Sequence, residues 1–139
     1  MAASTGVPLA RKLGIKSGAR VLLVDGPRGF TLGPLPPQVT VHRRAGCEPY
    51  DVIVGFCPDY ASLDRRFGTW RARLAPAGGL WIAWPKKSSG VVTDLGDTVV
   101  REFGSAAGLV DTKVCAIDDT WSGLRFVVRL VDRGECRRT

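Results

Sequence analysis

The amino-acid sequence predicts a three-layer α/β sandwich built on a mostly parallel sheet. Three observations support this fold class: short apolar runs alternate with helical patterns, most of these runs are continuous, and two strand patterns follow each other near the carboxyl end. Continuous apolar strands are typical of sheets covered on both faces, and alternating strands and helices form three layers. The last two strands are close enough in sequence to form an antiparallel hairpin.

The first half of the chain predicts one short helix and three strands. PLARKLG, at 8–14, is typical of a helix that begins at Pro8 and ends at Gly14. The strands are expected in ARVLLVDG, QVTVHR and DVIVGFC, the last at 51–57. Segment 27–38 is too rich in proline and glycine for a helix, so we expect a loop in the first crossover.

The second half begins with an amphipathic helix, expected at about 59–74. Its apolar residues recur at intervals of three and four and are Tyr60, Leu63, Phe67, Trp70 and Leu74. Such a stripe predicts a core-facing helix. Residues 75–79 are expected to turn the chain into the fourth strand, LWIAW.

A further helix is expected at about 94–107. Thr93 or Asp94 could cap its start, and Gly108 lies near its end. Its expected apolar face consists of Leu95, Val99, Phe103 and Ala106 or Ala107. LVDTKVCAI and LRFVVRL then predict the hairpin strands, which DDTWSG connects.

The composition fits one soluble globular domain. The chain has 139 residues, 45% hydrophobic and 24% charged, which is enough to bury a core. We assign 1–131 to a single Rossmann-like domain and 132–139 to a polar, basic tail. No apolar run approaches the about 18 residues of a membrane span, and 1–14 lacks the apolar stretch of a signal peptide. We therefore expect a cytoplasmic protein with no membrane partner.

The net charge and the cysteine pattern limit the kinds of function that the sequence allows. A formal charge of +7 is compatible with binding nucleic acid or another polyanion, and equally with simple solubility. The four cysteines form no C-x-x-C pair and His42 is the only histidine. This pattern does not fit a zinc site, and it weakens any catalytic site that needs a histidine base. We predict no metal.

Two sets of motifs resemble known proteins. LGIKSGARVLLVDGPRG resembles the start of a class I S-adenosylmethionine-dependent methyltransferase, LAPAGGLWIAW resembles a later loop and strand, and the hairpin resembles the antiparallel last strand. The likeness implies a methyltransferase-like, Rossmann-like fold over most of the chain. PLARKLGIKSG, WIAWPKK and DDTWSGLRFVVR together resemble a family of short bacterial proteins of unknown function, a resemblance that implies no activity.

The cofactor contacts that the methyltransferase resemblance implies are incomplete. Gly29 matches a glycine of the cofactor turn, but Asp25 and Pro27 stand where glycines are expected, and Pro27 removes a backbone donor. The acid often found inside the first strand is Leu23 here, and 41–44 reads VHRR where an acid would hold ribose hydroxyls. The sequence therefore favours a non-catalytic relative, predicts no cofactor, and leaves a divergent methyltransferase as the alternative.

Ligands of open α/β sheets bind beyond the carboxyl ends of the parallel strands. That rule selects a set of candidate ligand-binding residues: Asp25, Gly26, Arg28, Gly29, Trp84, Lys86, Lys87, Ser88, Ser89, Trp121 and Ser122. Lysine and serine side chains suit phosphate or carboxylate. We expect the segments around Lys86 and Trp121 to share one rim of the sheet, where an anionic small molecule, a nucleic acid or an acidic partner could bind.

Several of these residues have a structural interpretation as well. Lys86 and Lys87 could belong to a solvated loop that pairs with Asp118 and Asp119. Trp121 could stack on a ligand or fold back over the sheet edge.

Three further groups near this rim also allow two interpretations each. Asp25 could meet a ligand or pair with Arg28, and Arg43 with Arg44 could hold a phosphate or remain solvated. Cys57 could be an activated thiol, although buried packing is the more common role. The oligomeric state is not predicted, and pairing of an exposed edge strand between copies is a third, structural alternative.

Overall fold

Six strands and three α-helices form in the parts of the chain that the computed structural model describes, residues 9–28, 30–44, 46 and 48–129. The elements are α1 Leu9–Lys12, β1 Arg20–Val24, β2 Thr40–His42, β3 Tyr50–Phe56, α2 Tyr60–Arg73, β4 Leu74–Pro85, α3 Asp97–Ala106, β5 Leu109–Ala116 and β6 Trp121–Val128. A 3₁₀ turn, Lys87–Ser89, follows β4. No helix among these elements is long and apolar enough to cross a membrane.

The strands form one sheet in the order β2-β1-β3-β4-β6-β5. β1 pairs in parallel with β2 and β3, and β3 pairs in parallel with β4. β6 is antiparallel to both of its neighbours, β4 and β5. The prediction of a mostly parallel sheet with an antiparallel hairpin at its end is therefore confirmed.

Each face of the sheet has its own hydrophobic core. On one face, α2 and α3 contribute Leu63, Trp70 and Val100 to a cluster with side chains of the central strands. On the other face, Leu13 beside α1 and Leu32 of the first crossover cover a second cluster. Residues 25–28 and 30–39 contain no helix, which confirms that a loop replaces the helix of the first crossover.

Helix α1 is too short to be stable without tertiary contacts. The indole Nε1 of Trp81, fully buried in β4, donates a hydrogen bond to the carbonyl oxygen of Leu13 at 3.0 Å. The ammonium group of Lys113 donates to the carbonyl oxygen of Lys12 at 3.2 Å. These bonds attach the end of α1 to β4 and β5. The helix was correctly predicted, although Pro8 lies outside the described residues.

The long helix α2 has the predicted position and most of the predicted apolar stripe, although Tyr60 is 42% exposed and Leu74 already belongs to β4. The carboxylate of Asp59 accepts a hydrogen bond from the amide of Ser62 at 2.9 Å and caps the first turn. Leu63, Phe67 and Trp70 are buried. The ring of Trp70 lies so close to Gly55 of β3 that any side chain at Gly55 would overlap it.

Helix α3 begins later than predicted, and the predicted cap was wrong. Gly96 is the N-cap residue. The carboxylate of Asp94 instead accepts a hydrogen bond from the amide of Tyr60, at the start of α2, and the hydroxyl of Thr93 donates to the carbonyl oxygen of Pro58. Both side chains therefore connect the loop before α3 to the start of α2.

The buried face of α3 is also rotated from the predicted one. Val100 and Gly104 are its buried residues, whereas Val99 and Phe103 are only partly buried against the core. Leu95 is buried just before the helix, and Ala106 and Ala107 are exposed. The helix rotates because Phe126 of β6 occupies the space beside Gly104, where no larger residue would fit.

Residues 75–79, predicted as a turn, belong to β4. The pairing with β3 jumps from Tyr50 opposite Leu74 to Val52 opposite Gly79, so the intervening residues bulge out against a single residue of β3. The backbones of β3 and β4 approach so closely here that position 78 requires glycine, since a Cβ at Gly78 would lie 2.7 Å from the carbonyl oxygen of Asp51.

The hairpin connection is also shorter than predicted. Strand β6 begins at Trp121, so only 117–120 connect β5 to β6. The end of the predicted last strand, Leu130, and the predicted tail at 132–139 lie outside the described residues.

Replacement of a helix glycine by alanine is expected to have opposite effects on stability in α2 and in α3. We expect Gly104→Ala to lower the free energy of unfolding by about 1–3 kcal/mol, because the added methyl group overlaps Phe126. Gly68→Ala is the matched control: a Cβ there would meet nothing within 4 Å, and alanine favours helix by about 0.5–1 kcal/mol. Urea denaturation of both variants measures the difference. Stabilisation by both substitutions would contradict the packing of α3 on β6.

Candidate functional site

The carboxyl ends of the parallel strands meet at one edge of the sheet, which we call the carboxyl edge. Arg43 and Arg44 follow β2, Asp25 follows β1, and Cys57 follows β3. Lys86 follows β4, and the antiparallel β6 begins at the same edge with Trp121, which lies opposite Pro85. Most of the charged candidate residues are therefore brought to one edge by the topology alone.

A cleft of about 440 Å³ opens at the β1–β2 end of this edge. Its walls come from the ends of β1 and β2 and from one side of α2. The lining residues are Val24, Asp25, Arg43, Arg44, Arg66, Thr69 and Trp70. We call it the arginine cleft, because three arginines and a single acidic residue line it.

An ion pair spans the arginine cleft from β1 to α2. The guanidinium Nη2 of Arg66 lies 3.1 Å from Oδ2 of Asp25 and donates a 3.3 Å hydrogen bond to Oδ1. Both side chains keep about two fifths of their surface exposed, 41% for Arg66 and 42% for Asp25. The sequence suggested Arg28 as the partner of Asp25; Arg28 is exposed, and the ion pair forms with Arg66 instead.

The backbone of Asp25 has a left-handed conformation, with φ at 60°. This region favours glycine, and aspartate tolerates it better than most residues. The turn after β1 therefore keeps a backbone shape suited to glycine while placing a carboxylate at the end of the strand.

The turn that carries Arg43 and Arg44 is held through the hydroxyl of Tyr50, a fully buried residue at the start of β3. Its hydroxyl accepts a hydrogen bond from the amide of Gly46 at 2.9 Å and lies 2.6 Å from Nδ1 of His42. The carbonyl oxygen of Arg44 lies 3.5 Å from the same hydroxyl. The tyrosine thus fixes the backbone on both sides of the two arginines.

The thiol of Cys57 is not activated. Its pKa is raised to about 12, mainly by burial and in smaller part by the nearby carboxylates of Asp25 and Asp59, while Arg66 lowers it slightly. Its side chain is fully buried, and its amide donates to the carbonyl oxygen of Ala83 at 2.8 Å. Cys57 is therefore a neutral packing residue at neutral pH.

The lysine segment 86–90 is attached to the hairpin turn through its backbone. The amide of Lys86 donates a 2.9 Å hydrogen bond to the carbonyl oxygen of Thr120, so these two segments do share one rim. The hydroxyl of Ser89 donates to the carbonyl oxygen of Lys86 and accepts from the amide of Val91. Ser89 therefore serves the loop itself, and Ser88 lies within the same 3₁₀ turn.

The alternative in which the lysines pair with Asp118 and Asp119 is wrong. The carboxylate of Asp118 accepts hydrogen bonds from the amides of Thr120 and Trp121, both at 2.8 Å, and so closes the hairpin turn. Among the ion pairs of the described residues, none contains Lys86 or Lys87.

The tryptophans at this edge pack within the protein. Trp121 is partly buried and meets Phe56 edge to face, with ring centroids 5.0 Å apart, and Phe56 meets Phe30 in the same way. Trp121 therefore folds back over the sheet edge, which was one of its two expected roles. Trp84, opposite Ser122, is 5% exposed and belongs to the core beneath α2 and α3.

The remaining candidates lie in the turn after β1. A Cβ at Gly26 would lie 3.7 Å from both Phe30 and Phe56, so this glycine faces the aromatic side chains. Gly29 lies outside the described residues.

Three residues of this site were not predicted from the sequence: Arg66 and Thr69, which line the arginine cleft, and Tyr50, which supports the turn beside it. Arg66 and Thr69 are one turn apart on α2, beside the apolar stripe that contains Phe67 and Trp70. That spacing was the available signal, since polar residues bordering a core-facing stripe lie at the rim of the covered sheet. Tyr50 gave no such signal.

No family model and no curated protein matches the chain, but solved structures resemble it. DhpI in complex with SAH has a TM-score of 0.63 and 11% sequence identity, over 94% of this chain and 86% of that one. The DhpI-SAM-HEP complex has a TM-score of 0.57 and 10% identity, over 91% and 86%. A SAM-dependent methyltransferase from Aquifex aeolicus has a TM-score of 0.55 and 17% identity, over 86% and 87%.

At these identities the likeness concerns the fold alone, and it confirms a methyltransferase-like, Rossmann-like architecture. The resemblance to a short bacterial family of unknown function stays a prediction.

The raised pKa of Cys57 predicts low reactivity. In a variant that keeps Cys57 as its only cysteine, we expect alkylation by iodoacetamide at pH 8 to be at least 100-fold slower than in the same variant unfolded in urea, because the thiolate is the nucleophile. Mass spectrometry follows both reactions. The folded thiol keeps its proton above the unfolded pKa of about 8.5, so stability should also fall as the pH rises past that value. Equal rates in the two states would contradict a buried, neutral thiol.

Proposed function

We propose that this protein is a small, non-catalytic Rossmann-like protein that binds an anionic ligand in the arginine cleft at the carboxyl edge. One observation carries the proposal: three arginines line a concave site at the ends of two parallel strands. This is the place where open α/β sheets bind ligands.

The chemistry of the lining residues supports an anion. Guanidinium groups are planar donors that match phosphate and carboxylate oxygens and stay charged at any physiological pH. Arg43 and Arg44 are exposed, and the hydroxyl of Thr69 adds a further possible donor from the helix. A volume of about 440 Å³ is within the range of small-molecule sites.

The non-catalytic part of the proposal rests on the groups nearest the cleft. Asp25, its single carboxylate, forms an ion pair with Arg66. Cys57, at the end of the adjacent strand, holds a neutral thiol because burial raises its pKa to about 12. The neutral thiol does not have the state expected of a nucleophile, and the carboxylate is engaged in an ion pair.

The lysine segment extends the basic character of the edge. Lys86 follows β4, which lies two strands from β1, so about 10 Å of sheet separates it from Asp25. A small anion would use the arginine cleft alone. A nucleic acid or an acidic protein would be long enough to reach Lys86 and Lys87 as well.

Double substitutions of charged residues distinguish a small anion from a longer ligand. We expect Arg43→Gln with Arg44→Gln to weaken binding of pyrophosphate or of a nucleoside monophosphate at least about ten-fold, because two charge-assisted contacts are lost. Lys86→Gln with Lys87→Gln should leave small-anion binding within about two-fold. Isothermal titration calorimetry measures both, together with a single-stranded oligonucleotide as a longer probe.

Arg71→Gln with Arg73→Gln is the matched control, since it removes the same charge from the far end of α2 without touching residues that line the cleft. If the arginine-cleft variant and this control weaken anion binding equally, the effect comes from the net charge of the protein and not from the cleft. Loss of oligonucleotide binding in the lysine variant would assign the longer ligand to the whole edge.

A divergent SAM-dependent methyltransferase is the second candidate. The similar fold of DhpI in complex with SAH and of the SAM-dependent methyltransferase from Aquifex aeolicus favours it. The residues at the carboxyl edge do not fit that cofactor well. Pro27 offers no backbone donor, and Arg43 and Arg44 stand where the resemblance implies an acid for ribose hydroxyls.

A thermal shift experiment distinguishes the two candidates. A ligand present at 100 times its Kd stabilises the folded state by about 2.7 kcal/mol. We expect millimolar SAM to leave the melting temperature unchanged, and millimolar pyrophosphate to raise it in the wild type but not in the variant with Arg43→Gln and Arg44→Gln. A rise with SAM that survives the arginine substitutions would favour the methyltransferase instead.

A further inference from the structure

The arginine cleft contains an acceptor as well as donors. The carboxylate of Asp25 lies inside a site whose other charged lining groups, Arg43, Arg44 and Arg66, are all cations. A fully deprotonated anion meets repulsion from this carboxylate, whereas a ligand with a hydroxyl group can donate a hydrogen bond to it.

We infer that Asp25 is the specificity-determining residue of this site, and that the ligand is a phosphate that carries a hydroxyl group. This inference rests on the proposed function, because it concerns selection among anions in the same cleft. The hydroxyl can be on phosphorus, as in hydrogen phosphate, or on a neighbouring carbon, as in a glycerol phosphate.

The position of the carboxylate is fixed by two rigid elements. Val24, the residue before Asp25, is paired with Gly55 in the middle of the sheet. The left-handed turn, with φ at 60°, then places the side chain opposite α2, where Arg66 holds it at 3.1 Å. Because α2 is capped by Asp59 and packed through Trp70, the carboxylate cannot swing away from an incoming anion without breaking its ion pair.

Arg66 leaves part of the carboxylate accessible. Both contacts come from the same nitrogen, Nη2, and Asp25 retains 42% of its side-chain exposure. Each carboxylate oxygen has two acceptor positions, so Asp25 can accept a ligand hydroxyl while it remains paired. Arg43, Arg44 and Thr69 lie on the same cleft and can donate to the other phosphate oxygens.

Phosphate and sulfate at pH 8 form the most direct test, because phosphate is then mainly the hydrogen phosphate dianion, which shares size, geometry and charge with sulfate and differs in carrying a proton. We expect the wild-type protein to bind inorganic phosphate about ten-fold more tightly than sulfate. The discrimination is smaller than that of a fully buried site, because water screens the half-exposed carboxylate. NMR titration of the Trp70 indole and the Thr69 amide, at constant ionic strength, measures both dissociation constants.

Asp25→Asn should bring the two dissociation constants to within about two- to three-fold of each other, mainly by tighter sulfate binding, because the amide can donate to sulfate oxygens. Asparagine tolerates the left-handed backbone, so the fold is retained. Asp25→Glu keeps the carboxylate and should keep a preference for phosphate. Arg66→Gln should weaken both anions while preserving their ratio.

The alternative role for Asp25 is to position Arg66 and nothing more. In that case Asp25→Asn would weaken phosphate and sulfate equally and leave their ratio unchanged, which overturns the inference. Equal binding of the two anions by the wild type would overturn it as well, while leaving the proposed anion site intact. Binding of neither anion by the wild type would overturn the proposed function itself. If the inference holds, binding of methyl phosphate and of glycerol 3-phosphate distinguishes a hydroxyl on phosphorus from one on a neighbouring carbon as the group that donates to Asp25.

Discussion

The contact between Trp70 of α2 and Gly55 of β3 determines the geometry of the candidate site. Because Gly55 has no side chain, the indole ring of Trp70 lies directly on the sheet, and α2 is held close above β3. Arg66 is one helical turn before Trp70 and therefore extends from the same side of the helix. The core contact thus places a guanidinium group over the end of β1, where it meets Asp25.

Local patterns predicted most of the fold, and long-range contacts account for what they missed. Continuous apolar runs identified β1 and β3, and the apolar stripe identified α2, because those signals are confined to a few consecutive residues. The role of Asp94 could not be found in this way. Its carboxylate bonds to Tyr60, 34 residues earlier, and competes with the local capping role that the sequence suggested.

The candidate site was likewise predicted only in part. The topology rule located the carboxyl edge and selected Asp25 correctly as a residue of that edge. The partner of Asp25 is 41 residues away in Arg66, and the support beneath Arg44 comes from a tyrosine that begins the next strand. Sequence spacing does not encode these pairings; they depend on how α2 and β3 lie in the sheet.

The replacement of the first crossover helix by a loop explains why the cleft lies on the α2 side. On the opposite side of the edge, Phe30 of the loop and Trp121 of β6 both pack on Phe56, with ring centroids 5.0 Å apart in each pair. Aromatic side chains of the protein thus occupy the space next to the turn after β1, and the concave surface with charged groups lies on the other side of that turn. The chain is similar in fold to DhpI in complex with SAH, and its own residues place an aspartate after β1 and two arginines after β2. Because a shared fold does not determine the ligand, the proposal of an anion rests on these charged groups and not on the fold.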